Sequence, residues 1–436
     1  MKFPNIKNLI FSEGVGSCWQ EDISAVRDSW TAPGDRWTTP SSTSNNVPGT
    51  PMKYIRQPAR VLSIGLQLES GETAWGDCLS VSFAGKSGRD QAIQTSSARD
   101  ALQEHSLLLA LQKFKGRLLC EADAGLAIEF PDWKPAIRFG VSQALVNAVA
   151  VSNHCLATDV LQQALGSVAA STAPALQGSC GSNWHDAVER MIVAGVKYLP
   201  QGQFENLAEE LGADGSRLFS YISWLKERIA KLSPVSLTGT NFPRVITLDF
   251  HGALGQIFNG NVNAIVDYIE RLAKSCQPFD LHVESPVVEE TFHAQVNKLS
   301  KLTEAIRSRG ISVKIIADEW ANSLDEIKIL ATQTVLDGIH IKMPDTGSIL
   351  DSGRAVEVCK ANGIFVLLGG SCTETACSAQ LAAHLAMATG PNALLVKPGI
   401  SFDEGFSLIT NELAKIQSLR ATRVGDSDNQ DSIKHF

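Results

Sequence analysis

Four apolar runs in the second half of the chain each close on a charged residue: VITLD at Asp249, LHVE at Glu284, VKIIAD at Asp318 and IHIK at Lys342. These residues are spaced 35, 34 and 24 positions apart. Each interval accommodates one strand, one helix and their loops, the repeating unit of a parallel barrel. Such a barrel gathers the C-terminal ends of its strands at one mouth, so three carboxylates and an ammonium are predicted to meet there. Clustered carboxylates repel one another unless a divalent cation lies among them. An all-oxygen ligand set suits Mg²⁺, with Mn²⁺ as a substitute.

The rest of the second half fits the same frame. From Pro174 onward, strand candidates fall at Ala175–Gln177, Val196–Leu199, Val245–Asp249, Leu281–Glu284, Val313–Asp318, Ile339–Lys342, Phe365–Gly369 and Leu394–Val396. Between them Leu218, Ile222, Leu225, Ile229 and Leu232 repeat at helical spacing, as do Ile265, Ile269 and Leu272, and Val296, Leu299 and Ile306. Eight strands alternating with helices predict a TIM-type (β/α) barrel over residues 161–423. Residues 1–160 read as an α+β capping domain. Strand-like runs lie within 5–30 and 59–85, helices fill 91–165, and a Pro/Ser/Thr/Gly-rich mobile loop spans about 31–58. Residues 424–436 read as a polar, frayed tail.

Composition excludes several classes. The chain has 436 residues, 44% of them hydrophobic, which is ample for a barrel plus a second domain. Its 38 basic and 46 acidic residues give a net charge of −8, with no block of like charge, which argues against a nucleic-acid partner. No run of about 18 apolar residues predicts a membrane span, and the N-terminus lacks a charged-then-apolar signal pattern, so a cytoplasmic protein is expected. The nine cysteines include no CxxC pair and read as reduced, mostly core thiols.

Strand alternation places His340 and Lys342 on one face. A lysine beside a bound Mg²⁺ would have its pKa lowered and become able to take a proton. Gln177, after the first strand, and the Gly-rich turn from Gly369 through Ser371 and Cys372 to Thr375 are candidate contacts to a small-molecule carboxylate substrate. Lys397 follows the last strand. His251 and His282 are each two residues from an acidic candidate.

The segments GDCLSVSFAGKSGRD (76–90), RFGVSQALVNAVA (138–150), TLDFHGALG (247–255), IADEW (316–320), IKMPDTG (341–347), GGSCTET (369–375) and VKPG (396–399) together resemble the methylaspartate ammonia-lyase family of the enolase superfamily. The resemblance implies a capped barrel, a homodimer, and elimination of ammonia from L-threo-3-methylaspartate to give mesaconate. It implies Asp249, Glu284 and Asp318 as Mg²⁺ ligands, Lys342 as the base, and Gln177, Ser371 and Cys372 as substrate contacts. The chain departs from the family pattern at four further substrate-facing places: His340 replaces a Gln, Gln201 stands where a second base (His) is usual, Ser82 replaces a Gln, and Ser371 replaces a Thr. Loss of the second base predicts no direct action on the (2S,3R) epimer.

Rival readings are an acid-sugar dehydratase, a racemase, a Schiff-base aldolase and a non-catalytic binding protein. Lys197 alone in VKYLPQ, without a second lysine, counts against two-base racemisation.

Overall fold

The computed structural model describes all residues except 23–34, 42–52, 169, 181–183, 204–209, 213, 334–335, 398, 400–401 and 433–436. Much of the expected mobile loop at 31–58 therefore lies outside the described residues, as does Pro398.

The first unit is an antiparallel sheet of β1 (Ile6–Glu21), β2 (Arg56–Leu68) and β3 (Thr73–Cys78), with β2 in the centre. Helices Thr95–Leu102, Glu104–Lys113, Leu119–Glu129, Pro135–Ser152 and Ala157–Leu165 follow, as the apolar spacing predicts. The helix Pro135–Ser152 opens on a proline, whose missing N–H costs nothing at that position. It is buried almost continuously from Ala136 to Ala150 because it lies between the sheet and the barrel. Its contact with β3 is close: a Cβ on Gly76 would lie 2.1 Å from the Gly140 carbonyl oxygen.

The second unit is a closed, all-parallel barrel. Its strands are β4 (Ala175–Gln177), β5 (Tyr198–Gln203), β6 (Val245–Asp249), β7 (Asp280–Glu284), β8 (Lys314–Ala317), β9 (Gly338–Ile341), β10 (Phe365–Leu368) and β11 (Ala393–Leu395), with β11 returning to β4. All eight coincide with the sequence candidates to within a few residues. The largest difference is β5, which continues through Gln203 because it keeps pairing with β6 across a register shift between Pro200 and Gly202. The last helix, Phe402–Ser432, runs past Arg423 into the segment expected to be frayed.

Alternation sorts the barrel side chains. Ile246, Leu248, Leu281, Val283, Ile315, Ala317, Ile339, Ile341, Val366 and Leu368 join the core shared with the surrounding helices. Tyr198, Val245, Ile316, Phe365, Leu367, Ala393 and Leu395 form a separate cluster inside the barrel. With Val245 and Ile316 inward, Asp249 and Asp318 share their parity and face the interior further along their strands, at the mouth. His282 belongs to the lower layer, its ring centroid 5.5 Å from Tyr198 and 4.9 Å from Phe365. Burial, then Lys314 and Lys197, push its pKa down to about 3. His282, two residues before Glu284, is thus an uncharged ring packed beneath the acidic group.

Candidate active site

Strand pairing sets Asp249 directly opposite Glu284. Asp318 follows β8, and Lys342 follows β9 at the start of the short helix Met343–Thr346. Asp249, Glu284 and Asp318 are only 2%, 4% and 2% exposed, and Lys342 is 6% exposed. Charges this deep must be compensated locally.

The compensation is visible atom by atom. The Lys342 ammonium donates to Asp318 Oδ2, and Arg89 from the capping unit lies 3.2 Å from Oδ1. Arg89 also donates to Asp345 at 2.8 Å. Glu284 Oε1 meets His340 Nδ1 at 2.7 Å, and Oε2 accepts from Gln201 Nε2 at 3.0 Å. The other His340 nitrogen, Nε2, contacts the Gly369 carbonyl oxygen, which can only accept, so Nε2 carries a proton. Asp249 Oδ2 lies 2.9 Å from His251 Nε2, while His251 Nδ1 is 2.9 Å from Glu319.

These contacts set the ionisation. Burial, then the Asp249 charge, raise the Glu284 carboxyl above the ordinary range, against the pull of His340. Burial also opposes ionisation of Asp318, but Lys342 and Arg89 outweigh it and hold that carboxyl below the ordinary range. Burial disfavours the charged form of Lys342, yet Asp318 prevails and its pKa is raised. The lowered value expected for Lys342 is that of a lysine beside a bound Mg²⁺; the raised value is that of the Asp318 ion pair.

Among the described residues, Glu284, Asp318 and His340 offer ligand atoms within 4.8 Å of one another. Asp249 is outside that group, its carboxylate turned toward His251, although it sits on the adjacent strand end opposite Glu284. Buried carboxylates, with burial and then the Asp249 charge raising the Glu284 pKa, form an oxygen-rich, cation-seeking set, and Mg²⁺ fits it.

The remaining sequence candidates also reach the mouth. Gln177 ends β4 and is buried. Ser371 is fully buried, and its Oγ has no hydrogen-bond partner. Its backbone N–H is held, with that of Gly370, by Glu374 Oε1. Cys372 adopts a φ of +69° beside the buried Lys397 ammonium. The Ser82 hydroxyl is spent on the Trp19 carbonyl oxygen at 2.7 Å. Lys197 lies at the opposite end of the barrel, where its carbonyl accepts from Val245 N. Sequence reasoning gave Arg89 no role; its only signal was an arginine within the GKSGRD segment.

Family models for the N-terminus and C-terminus of methylaspartate ammonia-lyase match residues 4–166 and 168–422. The chain is 35% identical to methylaspartate ammonia-lyase 2 of Carboxydothermus hydrogenoformans, over 87% of this chain and 91% of the relative. It superposes on the crystal structure of Citrobacter amalonaticus methylaspartate ammonia lyase containing (2S,3S)-3-methylaspartic acid with a TM-score of 0.85 at 30% identity, covering 97% of this chain and all of the other. The Mg complex of Clostridium tetanomorphum β-methylaspartase gives a TM-score of 0.82 at 28% identity, with coverage of 97% and 100%. The chain belongs to the methylaspartate ammonia-lyase family.

Proposed function

We propose that this chain is a Mg²⁺-dependent ammonia-lyase acting on L-threo-3-methylaspartate, or a close analogue, to give mesaconate or its counterpart. The observation that carries the reading is the buried Lys342 ammonium resting on Asp318 inside the acidic group. Asp249, Glu284 and Asp318 would hold the cation, with His340 within reach of the same place. When bound, Mg²⁺ would supply charge that stabilises a substrate carboxylate as the neighbouring carbon loses its proton.

Once Asp318 serves the cation, Lys342 Nζ loses its ion-pair partner and, in its neutral form, takes the proton from the carbon next to that carboxylate. The electron pair left behind forms the C=C bond as the adjacent C–N bond breaks and ammonia departs. A positioned base of this kind contributes roughly 10²–10⁴-fold to the rate. Gln177, Ser371 and Cys372 orient the far end of the substrate, and burial of the mouth excludes water. Gln201 and His340 support Glu284, which favours their being positioning groups here. The same reading includes a cytoplasmic homodimer.

A second reading, an acid-sugar dehydratase or related lyase, draws on the four departures at Ser82, Gln201, His340 and Ser371. One assay separates the two. Branched aspartates are screened with Mg²⁺ for new C=C absorbance and sugar acids for a new 2-keto acid, the ketonised product of dehydration, with EDTA and Lys342→Ala as controls. Absorbance from 3-methylaspartate that survives both controls sinks the mechanism. Turnover confined to sugar acids selects the dehydratase.

A further inference from the structure

Gln20 lies near the end of β1 and is fully buried, yet neither its Oε1 nor its Nε2 has a hydrogen-bond partner. A buried primary amide left unpaired at both ends costs stability and calls for a ligand. The surrounding contacts show where it points. Trp19 and Glu21 face one side of the strand: the Arg56 guanidinium sits 4.0 Å over the Trp19 ring, and Arg56 and Arg36 pair with Glu21 at 2.7 and 3.1 Å. Gln20, between them, takes the opposite side, and across the register shift between Val15 and Trp19 the preceding residues meet the loop after β10, where Ser17 Oγ donates to the Glu374 carbonyl oxygen. There a Cβ on Gly16 would lie 2.6 Å from the Thr373 carbonyl oxygen, and Cys18 has Cys372 and Lys397 as electrostatic neighbours. The backbone fixes the height: Glu21 N donates to Ser82 O at 3.0 Å, and Ser82 N donates to Ser371 O at 2.9 Å. The residues on either side of Gln20 are thus tied to the Ser371 loop, where Ser371 Oγ is also buried and unpaired.

We propose that Gln20 is a substrate-contacting residue that holds the head group of an amino-acid substrate between itself and Ser371. Nε2 donates to a carboxylate oxygen and Oε1 accepts from the substrate ammonium. This function falls to β1 because the residue the family resemblance aligned with a substrate-binding amide is Ser82, and its hydroxyl is committed to Trp19. The inference rests on the ammonia-lyase reading and specifies which residue recognises the part of the substrate remote from Lys342.

The test is steady-state kinetics of full-length Gln20→Leu with 3-methylaspartate and Mg²⁺, alongside thermal denaturation. Loss of hydrogen bonds to charged groups lowers kcat/KM roughly 10- to 100-fold, chiefly through KM. The midpoint of unfolding stays level or rises, because an apolar side chain replaces an unpaired amide. Gln20→Met, unbranched and of similar size, serves if the leucine variant does not fold. A KM equal to wild type overturns the role of Gln20 alone, as does a lowered midpoint with unchanged KM. A wild-type protein inactive on every amino acid tested overturns the ammonia-lyase reading, and this inference with it.

Discussion

Replacing Lys342 with methionine tests electrostatics and chemistry in one variant. The side chains of Lys342 and Asp318 are 8% and 1% exposed, so the substitution leaves a carboxylate in the interior without its nearest cation. Breaking a buried pair in this way typically costs about 3–5 kcal/mol. Arg89, 3.2 Å from the other Asp318 oxygen, keeps part of the compensation, so the expected loss is at the low end, about 3 kcal/mol. Urea denaturation in EDTA measures it. Saturating Mg²⁺ should narrow the gap between variant and wild type, because a bound cation supplies to Asp318 the charge the lysine no longer does. Turnover should fall by roughly 10²–10⁴-fold even where stability is restored. A variant as stable as wild type in EDTA, with activity within about tenfold of wild type, refutes the placement of this ammonium at the centre of the site.

Asp123 carries a pH prediction. Burial raises its carboxyl above the ordinary range, against hydrogen bonds from Ser348 and Ser142. The folded state therefore holds this proton more tightly than the unfolded chain. The contribution is full below the unfolded pKa and is lost as pH rises through the folded value. Asp123→Asn should gain stability relative to wild type at pH 8 and little at pH 4, as read by denaturant midpoints; a pH-independent difference contradicts the sign. Gly76→Ala drives a methyl into the Gly140 carbonyl and should destabilise the cap by about 1–3 kcal/mol or more, visible as loss of soluble protein or a lowered midpoint. With Gln201 in place of a second base, elimination should proceed from the (2S,3S) substrate and not directly from the (2S,3R) epimer, followed by proton NMR; comparable rates contradict it.

Local periodicity determined the barrel. Each strand had to bury one face against helices, so Ile246, Leu248, Ile339 and Ile341 announced it without any tertiary information. The same parity put Asp249, Glu284, Asp318 and Lys342 at one mouth, which explains why the spacing of four charged residues was enough to expect a catalytic acidic group. Distances and partners were another matter. Nothing local shows that Asp249 turns to His251, that Asp318 pairs with Lys342 and raises its pKa, or that His282 packs between two rings. Arg89 reaches the mouth, and the strand that carries Gln20 is tied through Ser82 to Ser371, from a separate folding unit more than two hundred residues away in sequence. Their roles depend on how the cap docks on the barrel. A chain's own pattern reports which face each residue shows; only the assembled fold decides which charges it must share that face with.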